Sequence, residues 1–150
     1  MLTVGTEWLI EAAGCDPEAL RDEARLREVF ARAVAELGLL VVGSPQWHKF
    51  PGEGGVTGLA LLSESHLACH TYPEFAVATF NLYCCRERPA WPWAERLGEM
   101  LGAGSVAVRS VRREAAEAAD AGRGEGAAGH ALPPPPASAG AHTFREEVEA

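Results

Sequence analysis

Apolar positions recur along the chain with two different periods, which indicates both helices and strands. Between Leu26 and Leu37 they are spaced three and four residues apart, and this spacing places them on one face of a helix. The face comprises Leu26, Val29, Phe30, Ala33, Val34 and Leu37. Asp16 followed by Pro17 is typical of the start of a helix, and Gly38 is placed to end it. These signals predict one helix, beginning after Asp16 and ending at Gly38.

Shorter apolar or alternating runs predict strands. They cover residues 7–12, 39–43, 56–62, 75–83 and 105–111. A second helix is expected within residues 92–101, with Trp93 and Leu97 facing inward. Helices grouped between strands that are joined partly by short turns favour an α+β fold, a two-layer α/β sandwich with a mostly antiparallel sheet.

The composition changes near residue 113. Residues 121–150 are rich in Ala and Gly, contain four consecutive prolines at 133–136, and have Phe144 as their only aromatic residue. A segment of this composition buries too little apolar surface to offset the entropy lost on ordering. We therefore expect a folded domain over residues 1–112 and a disordered, low-complexity tail over residues 113–150.

Charge and cysteine usage narrow the class of protein. The chain has 21 acidic and 13 basic residues, a formal charge of −8, which argues against binding nucleic acid through a general basic surface. No apolar run approaches the ~20 residues of a membrane span, and the N-terminal stretch lacks the basic segment of a signal peptide. Two of the four cysteines are adjacent and no C-x-x-C motif occurs. We expect reduced thiols, no metal site and a cytoplasmic location, without nucleic-acid or membrane partners.

Side chains capable of acid–base chemistry concentrate within residues 55–85. Ser65, His66 and His70 lie where apolar runs stop, at the predicted connection between two strands. A polar turn is the simplest interpretation of such a cluster. A metal site formed by Cys69 with the two histidines would lack the fourth ligand of structural zinc sites. A serine hydrolase would need a G-x-S-x-G turn, which is absent.

Four motifs occur in this segment in a fixed order. They are Gly55-Val56-Thr57-Gly58, Glu64-Ser65-His66, His70-Thr71-Tyr72-Pro73-Glu74 and, at the end of a strand, Cys85. In this order and spacing they resemble the prokaryotic S-adenosylmethionine decarboxylase proenzymes. The match is dense over residues 48–85, weaker but collinear over residues 5–50, and fades after residue 101.

The resemblance implies an inactive precursor that cuts itself between Glu64 and Ser65. The Ser65 hydroxyl would attack the preceding carbonyl to form an ester, and β-elimination would release residues 1–64 as the β chain. Ser65 would become a pyruvoyl group at the start of the α chain, residues 65–150. This group is the implied cofactor: it forms a Schiff base with the substrate amine and withdraws electrons as pyridoxal phosphate does in other decarboxylases. Neither pyridoxal phosphate nor a metal is implied.

The resemblance also assigns roles to residues around the cut. Cys85 matches the family's proton donor, and a thiol suits this task because its pKa is tuned by its surroundings. Neighbours on a strand point to opposite faces, so Cys84 is expected to pack in the core. His70 matches the histidine that assists self-processing, and the hydroxyl of Thr57 matches one that steadies the cyclic intermediate.

Substrate contacts are expected from a further set of side chains. Phe50 and Tyr72 are placed to stack on an adenine ring and Glu74 to bind a cationic group, with ordinary packing or surface exposure as the alternative. Asn81 stands where an acidic residue is expected in the family. The loop PGEGG is one residue longer and more glycine-rich than usual. Both departures concern the choice of substrate more than the pyruvoyl chemistry.

The implied reaction is decarboxylation of S-adenosylmethionine, a small-molecule substrate, which supplies the aminopropyl donor for spermidine biosynthesis. One alternative keeps the pyruvoyl chemistry and changes the substrate to arginine or ornithine. Another is an inactive homologue that acts as a partner subunit. The family further implies a homodimer of cleaved protomers, in which two sheets pair into a four-layer α/β/β/α sandwich.

Overall fold

The computed structural model describes residues 2–116. In chain order its elements are β1 (Leu2–Ala13), α1 (Pro17–Arg21), α2 (Glu23–Leu37), β2 (Gln46–Lys49), β3 (Val56–Leu62), β4 (Ser65–Tyr72), β5 (Val77–Cys84), α3 (Trp93–Leu101) and β6 (Ser105–Ala115). The strands form one sheet in the order β2-β3-β4-β5-β1-β6. Every neighbouring pair is antiparallel.

The helices pack on one face of this sheet, which confirms the predicted two-layer α+β architecture. Along β5 the residues alternate between buried and half-buried, with Phe80 and Leu82 facing the helices. Trp93 of α3 packs its ring against Phe80 at 5.7 Å between centroids. The opposite face, here called the outer face, leaves Leu59 and Leu61 of β3 47% and 58% exposed. No helix of residues 2–116 covers it.

The predicted first helix is divided in two. Asp16 caps α1 as expected, with its carboxylate accepting from the backbone N–H of Glu18 at 3.0 Å. The chain then turns at Asp22, whose backbone is extended and whose carboxylate accepts from the N–H of Ala24 at 3.0 Å. The one-helix prediction was wrong because Asp22 satisfies the start of a second helix better than the interior of a first. Gly38 ends α2 in the left-handed conformation, as predicted.

The predicted strand over residues 39–43 is absent. Only Val41 forms an isolated bridge, opposite Leu62, because the left-handed backbone of Gly43 turns the chain before a ladder develops. Conversely, β2 was missed, and β4 occupies most of what was interpreted as a polar connection. The start of β5 also moves, since residues 73–75 form a 3-10 helix before Val77.

The two glycines of the G-V-T-G motif, at the start of β3, are required because neighbouring groups leave no space for a side chain. A Cβ atom on Gly55 would lie 2.6 Å from the carbonyl oxygen of Thr71, and the Trp47 ring lies directly over Gly58. Buried Thr71 accepts from the N–H of Val56 and donates to the carbonyl of Leu20, both at 2.8 Å. This threonine therefore links β3 and β4 to helix α1.

The last strand extends further than expected. It runs to Ala115, beyond the boundary predicted at residue 112. Most of the predicted disordered tail, residues 117–150, lies outside the described residues. Within residues 2–116, no helix is long and apolar enough to cross a membrane.

Candidate active site

The turn between β3 and β4 places Ser65 in an unusual conformation. Its φ angle is 150°, a region that residues with a side chain rarely adopt, and such strain costs about 1–3 kcal/mol. The Ser65 hydroxyl donates to the carbonyl of Tyr83 on β5. The carbonyl of Glu64 accepts from the N–H of Cys85 at 3.0 Å. Strain and a polarising donor thus meet at the bond between Glu64 and Ser65.

The two adjacent cysteines have different surroundings. Cys84 is the last residue of β5 and is fully buried, whereas Cys85 is exposed. Burial raises the pKa of the Cys84 thiol, and the carboxylate of Glu64 raises this pKa further. Cys85 instead lines a cavity of about 300 Å³ together with Arg86 and Arg112. Of the two thiols, only that of Cys85 is open to this cavity.

The other end of β4 holds a second cluster. The hydroxyl of Thr57 lies 3.1 Å from Nδ1 of His70, its partner across the β3–β4 ladder. Both residues line a cavity of about 360 Å³, which Phe50, Tyr72 and Glu74 also line. The structure therefore brings the expected substrate-contacting residues together with two of the processing residues.

This cavity has the character of a site for a flat, cationic ligand. Phe50 and Tyr72 are both exposed aromatic residues. Glu53, a further lining residue, forms an ion pair with Arg21 at 3.3 Å. Among residues 2–116, no cation forms a salt bridge with Glu74, so its carboxylate is available to a ligand in this cavity. Aromatic faces and carboxylates both attract cations.

The two clusters lie far apart within one chain. Ser65 and His70 are five residues apart on β4, and at about 3.3 Å per residue their backbones are separated by about 16 Å. Glu64, Ser65 and Cys85 meet at one end of the strand, and Thr57 and His70 meet at the other. The expected contact between His70 and Ser65 is therefore not made within a single chain.

A family model described as S-adenosylmethionine decarboxylase matches residues 6–114. The chain belongs to the S-adenosylmethionine decarboxylase family. This membership confirms the resemblance inferred from the motifs. The matched range also includes every residue of both clusters.

Individual members of the S-adenosylmethionine decarboxylase family show the extent of the similarity. A proenzyme from Syntrophomonas wolfei is 33% identical over 114 residues, 75% of this chain and 89% of that protein. One from Pyrococcus furiosus is 40% identical over 88 residues, 59% of this chain. The chain spans only 62% of the length of the Pyrococcus protein. The crystal structure of the adenosylmethionine decarboxylase from Aquifex aeolicus matches with a TM-score of 0.66 and 25% identity, over 79% of this chain and 98% of that one.

A hydrogen-bonded chain on the outer face explains Asn81, the residue that departs from the pattern expected for the decarboxylase family. Its amide nitrogen donates to Glu7 at 2.7 Å, and its oxygen lies 3.0 Å from Nε2 of His66. Since the oxygen only accepts, Nε2 of His66 carries the proton. Arg113 completes the chain by donating to Glu7 at 3.1 Å. A carboxylate is thus present here, but Glu7 supplies it.

Sequence reasoning missed two side chains that contact the decarboxylase-family motifs. Glu7 was recognised only as part of a strand, although its outward position in β1 could have suggested a partner on β5. Arg88 forms an ion pair with Glu64 from the loop after β5. No periodicity links a loop residue to a turn 24 positions earlier, so the sequence held no signal for this contact.

Proposed function

We propose that this chain is the proenzyme of a pyruvoyl-dependent S-adenosylmethionine decarboxylase that cuts itself between Glu64 and Ser65. The observation that carries the proposal is the conformation of Ser65, whose φ of 150° strains the residue on one side of that bond. The carbonyl to be attacked already accepts a hydrogen bond from Cys85 N–H at 3.0 Å. Breaking the peptide link relieves the strain, and the donor stabilises the oxygen that becomes negative.

Cleavage follows from a hydroxyl on the Cβ of Ser65. Its oxygen bonds to the Glu64 carbonyl carbon, the C–N bond breaks, and the hydroxyl proton passes to the freed amine, which leaves an ester. Removal of the Ser65 Cα proton then breaks the Cβ–O bond and releases the Glu64 carboxylate. Water replaces the nitrogen, which leaves as ammonia, and a pyruvoyl keto group remains. An imidazole such as that of His70 is suited to take the Cα proton.

His70 reaches Ser65 only if a second copy of the chain supplies it. Consider a two-fold axis that lies between two facing sheets, perpendicular to β4 and level with Ala68. Rotation about this axis reverses the strand direction. It therefore sets the Ser65 end of one protomer over the His70 end of its partner. The exposed Leu59 and Leu61 lie on the outer face, which such pairing would bury. We propose a homodimer with two shared active sites, assembled as a four-layer α/β/β/α sandwich.

In the shared site, different residues carry out different steps of the decarboxylation. Once formed, the pyruvoyl keto group supplies an electron sink for loss of CO₂ from a bound amino acid. Cys85, whose backbone N–H donates to the carbonyl of Glu64, delivers the proton to the substrate Cα. Phe50, Tyr72 and Glu74 of the partner subunit hold the flat, cationic substrate. The product would serve as the aminopropyl donor for spermidine.

Two measurements test the activity. The mass of freshly synthesised chain is followed over time by intact-mass spectrometry. Two fragments are expected, residues 1–64 and residues 65–150, and the second should carry a keto group at its start. Ser65→Ala should remain whole. Release of CO₂ is then measured with S-adenosylmethionine, arginine and ornithine. A wild-type chain that stays whole contradicts the enzymatic proposal, and CO₂ release only from arginine or ornithine retains the chemistry but corrects the substrate.

The shared site has its own test. Ser65→Ala and His70→Ala chains are synthesised separately and together, and their different masses identify which chain is cut. Each variant alone should remain whole. In the mixture, about half of the His70→Ala chains should be cut, because statistical pairing places half of them opposite an intact His70. A mixture in which no chain is cut contradicts sharing between two protomers.

A further inference from the structure

Arg88 contacts the residue on the other side of the bond to be cut. Its guanidinium donates to both carboxylate oxygens of Glu64, with Nε 3.1 Å from Oε2 and Nη2 2.5 Å from Oε1. Its third nitrogen, Nη1, donates to the carbonyl of Leu37 at the end of α2, at 3.3 Å. The Glu64 side chain is 14% exposed and that of Arg88 24%. The pair therefore joins the β3–β4 turn to the helix layer in a partly buried setting.

A bidentate pair restricts orientation as well as distance. Two parallel N–H···O contacts define the plane of the carboxylate, which a single point charge does not. The backbone of the same turn is held separately, by Ser63 N–H donating to the carbonyl of Leu40 at 2.9 Å and by Cys85 N–H donating to the carbonyl of Glu64. Glu64 is thus fixed at its carbonyl and at its side chain by residues 85–88.

This double attachment bears directly on the strained bond. A strained residue relaxes unless its surroundings hold both sides of it. The Ser65 side is held by the β4–β5 ladder, and the Glu64 side chain is held by Arg88. Without Arg88, the Glu64 carboxylate is left partly buried without its main partner, which favours a movement of the turn toward solvent.

We propose that Arg88 is a positioning residue for self-cleavage, which orients the carbonyl of Glu64 through the Glu64 side chain. This inference rests on the proposed self-processing. Arg88 contacts no reacting atom. Its contribution is to keep the carbonyl carbon within reach of the Ser65 hydroxyl, where small displacements are costly because the reaction depends on near-contact geometry.

Arg86 provides a matched control. It lies two residues away and carries the same charge, but its side chain is 78% exposed and its Nε is 3.9 Å from Glu64 Oε1. Exposed pairs of this kind contribute little. A general effect of positive charge near the turn would therefore appear in both Arg86 and Arg88 variants, and a positioning effect only in the Arg88 variants.

The test compares first-order cleavage rates of freshly synthesised full-length chains by intact mass, at a temperature below the melting transition of every variant. Arg88→Ala should cut about 10- to 100-fold more slowly than wild type. Arg88→Lys should restore part of the rate, and Arg86→Ala should cut at the wild-type rate. Glu64→Gln keeps the reacting carbonyl and should be slowed like Arg88→Ala. The double variant should be no slower than either single one, since both remove the same pair.

Each other outcome overturns the inference. Equal rates for wild type and Arg88→Ala, equal slowing by Arg86→Ala, or additive losses in the double variant would each show that the pair does not position the bond. If Arg88→Ala fails to fold, Glu64→Gln decides alone, and a wild-type rate for it is sufficient to reject the inference. A wild-type chain that remains whole contradicts the proposed function instead, so the two failures are distinguishable.

Discussion

The two ends of strand β4 are built in opposite ways. At the Ser65 end, one peptide bond is held by backbone hydrogen bonds and by a bidentate ion pair, and the serine that follows this bond has a strained φ angle. At the His70 end, exposed aromatic and acidic side chains surround a cavity of about 360 Å³. We infer that the first end is organised to hold the bond that is cut, and that the second end is organised to bind a ligand while its His70 serves the cut in the partner chain. Rigid support suits strained chemistry, whereas an open cavity suits exchange of small molecules.

The largest expected effect separates the two cysteines at the Ser65 end. Cys85→Ala should still be cut, but its decarboxylation rate should fall about 10²- to 10⁴-fold, the usual contribution of a general acid. Cys84→Ala should be cut and remain active, while its free energy of unfolding falls by about 1 kcal/mol because a buried sulfur is lost. CO₂ release and urea unfolding measure the two effects. If Cys84→Ala loses the activity instead, the assignment of the proton donor is wrong.

The next effect should be confined to the His70 end. Tyr72→Ala and Glu74→Gln should each raise KM about tenfold, equivalent to ~1.4 kcal/mol of binding, and leave the rate of self-cleavage unchanged. Phe75→Ala is the control, since this side chain is 72% exposed and does not line the cavity. Steady-state kinetics of the cut enzyme supply the measurement. Slower self-cleavage in Tyr72→Ala would remove the distinction between the two ends.

A smaller effect tests the strain at Ser65 itself. Ser65→Gly and Ser65→Ala both lack the hydroxyl and should stay whole. In an ordinary strand Gly is less stable than Ala by about 0.5–1 kcal/mol. At φ 150° the order should reverse, because Gly avoids a strain of about 1–3 kcal/mol that Ala retains. Urea unfolding of the two chains should thus favour Gly by about 1 kcal/mol, and a more stable Ala chain would show that Ser65 is unstrained.

A last effect, of similar size, concerns the outer face between the two ends. Asn81→Asp would place a second carboxylate within hydrogen-bond distance of Glu7, which raises the folded-state pKa of the new group. The variant should lose about 1 kcal/mol of stability at pH 7. Because its pKa is raised, the loss should shrink as the pH falls through that pKa. Arg113 already neutralises part of Glu7, which limits the size of the effect.

Thermal unfolding from pH 4 to pH 8 measures this dependence. Adding Glu7→Gln to Asn81→Asp should restore the stability at pH 7, because only one carboxylate then remains. A loss that does not change with pH would indicate altered packing in place of charge repulsion.

Local signals in the sequence predicted much of the fold. The caps at Asp16 and Gly38 and the helix containing Trp93 and Leu97 follow from rules that involve only neighbouring residues. Strand β4 was missed because every second residue points to the outer face, and two of these outward positions are the polar residues His66 and His70. Polar side chains at that spacing resemble a turn until the neighbouring strands are known.

The amino-acid sequence alone determined the family and predicted a set of reacting residues, because motif order and spacing are properties of the chain. The tertiary structure decided which of those residues meet. It separated Ser65 from His70 by about 16 Å along β4 and joined Arg88 to Glu64 across 24 positions. The physical reason is that strand direction and register define distances between residues that no local rule relates. A site predicted as one cluster therefore became two half-sites.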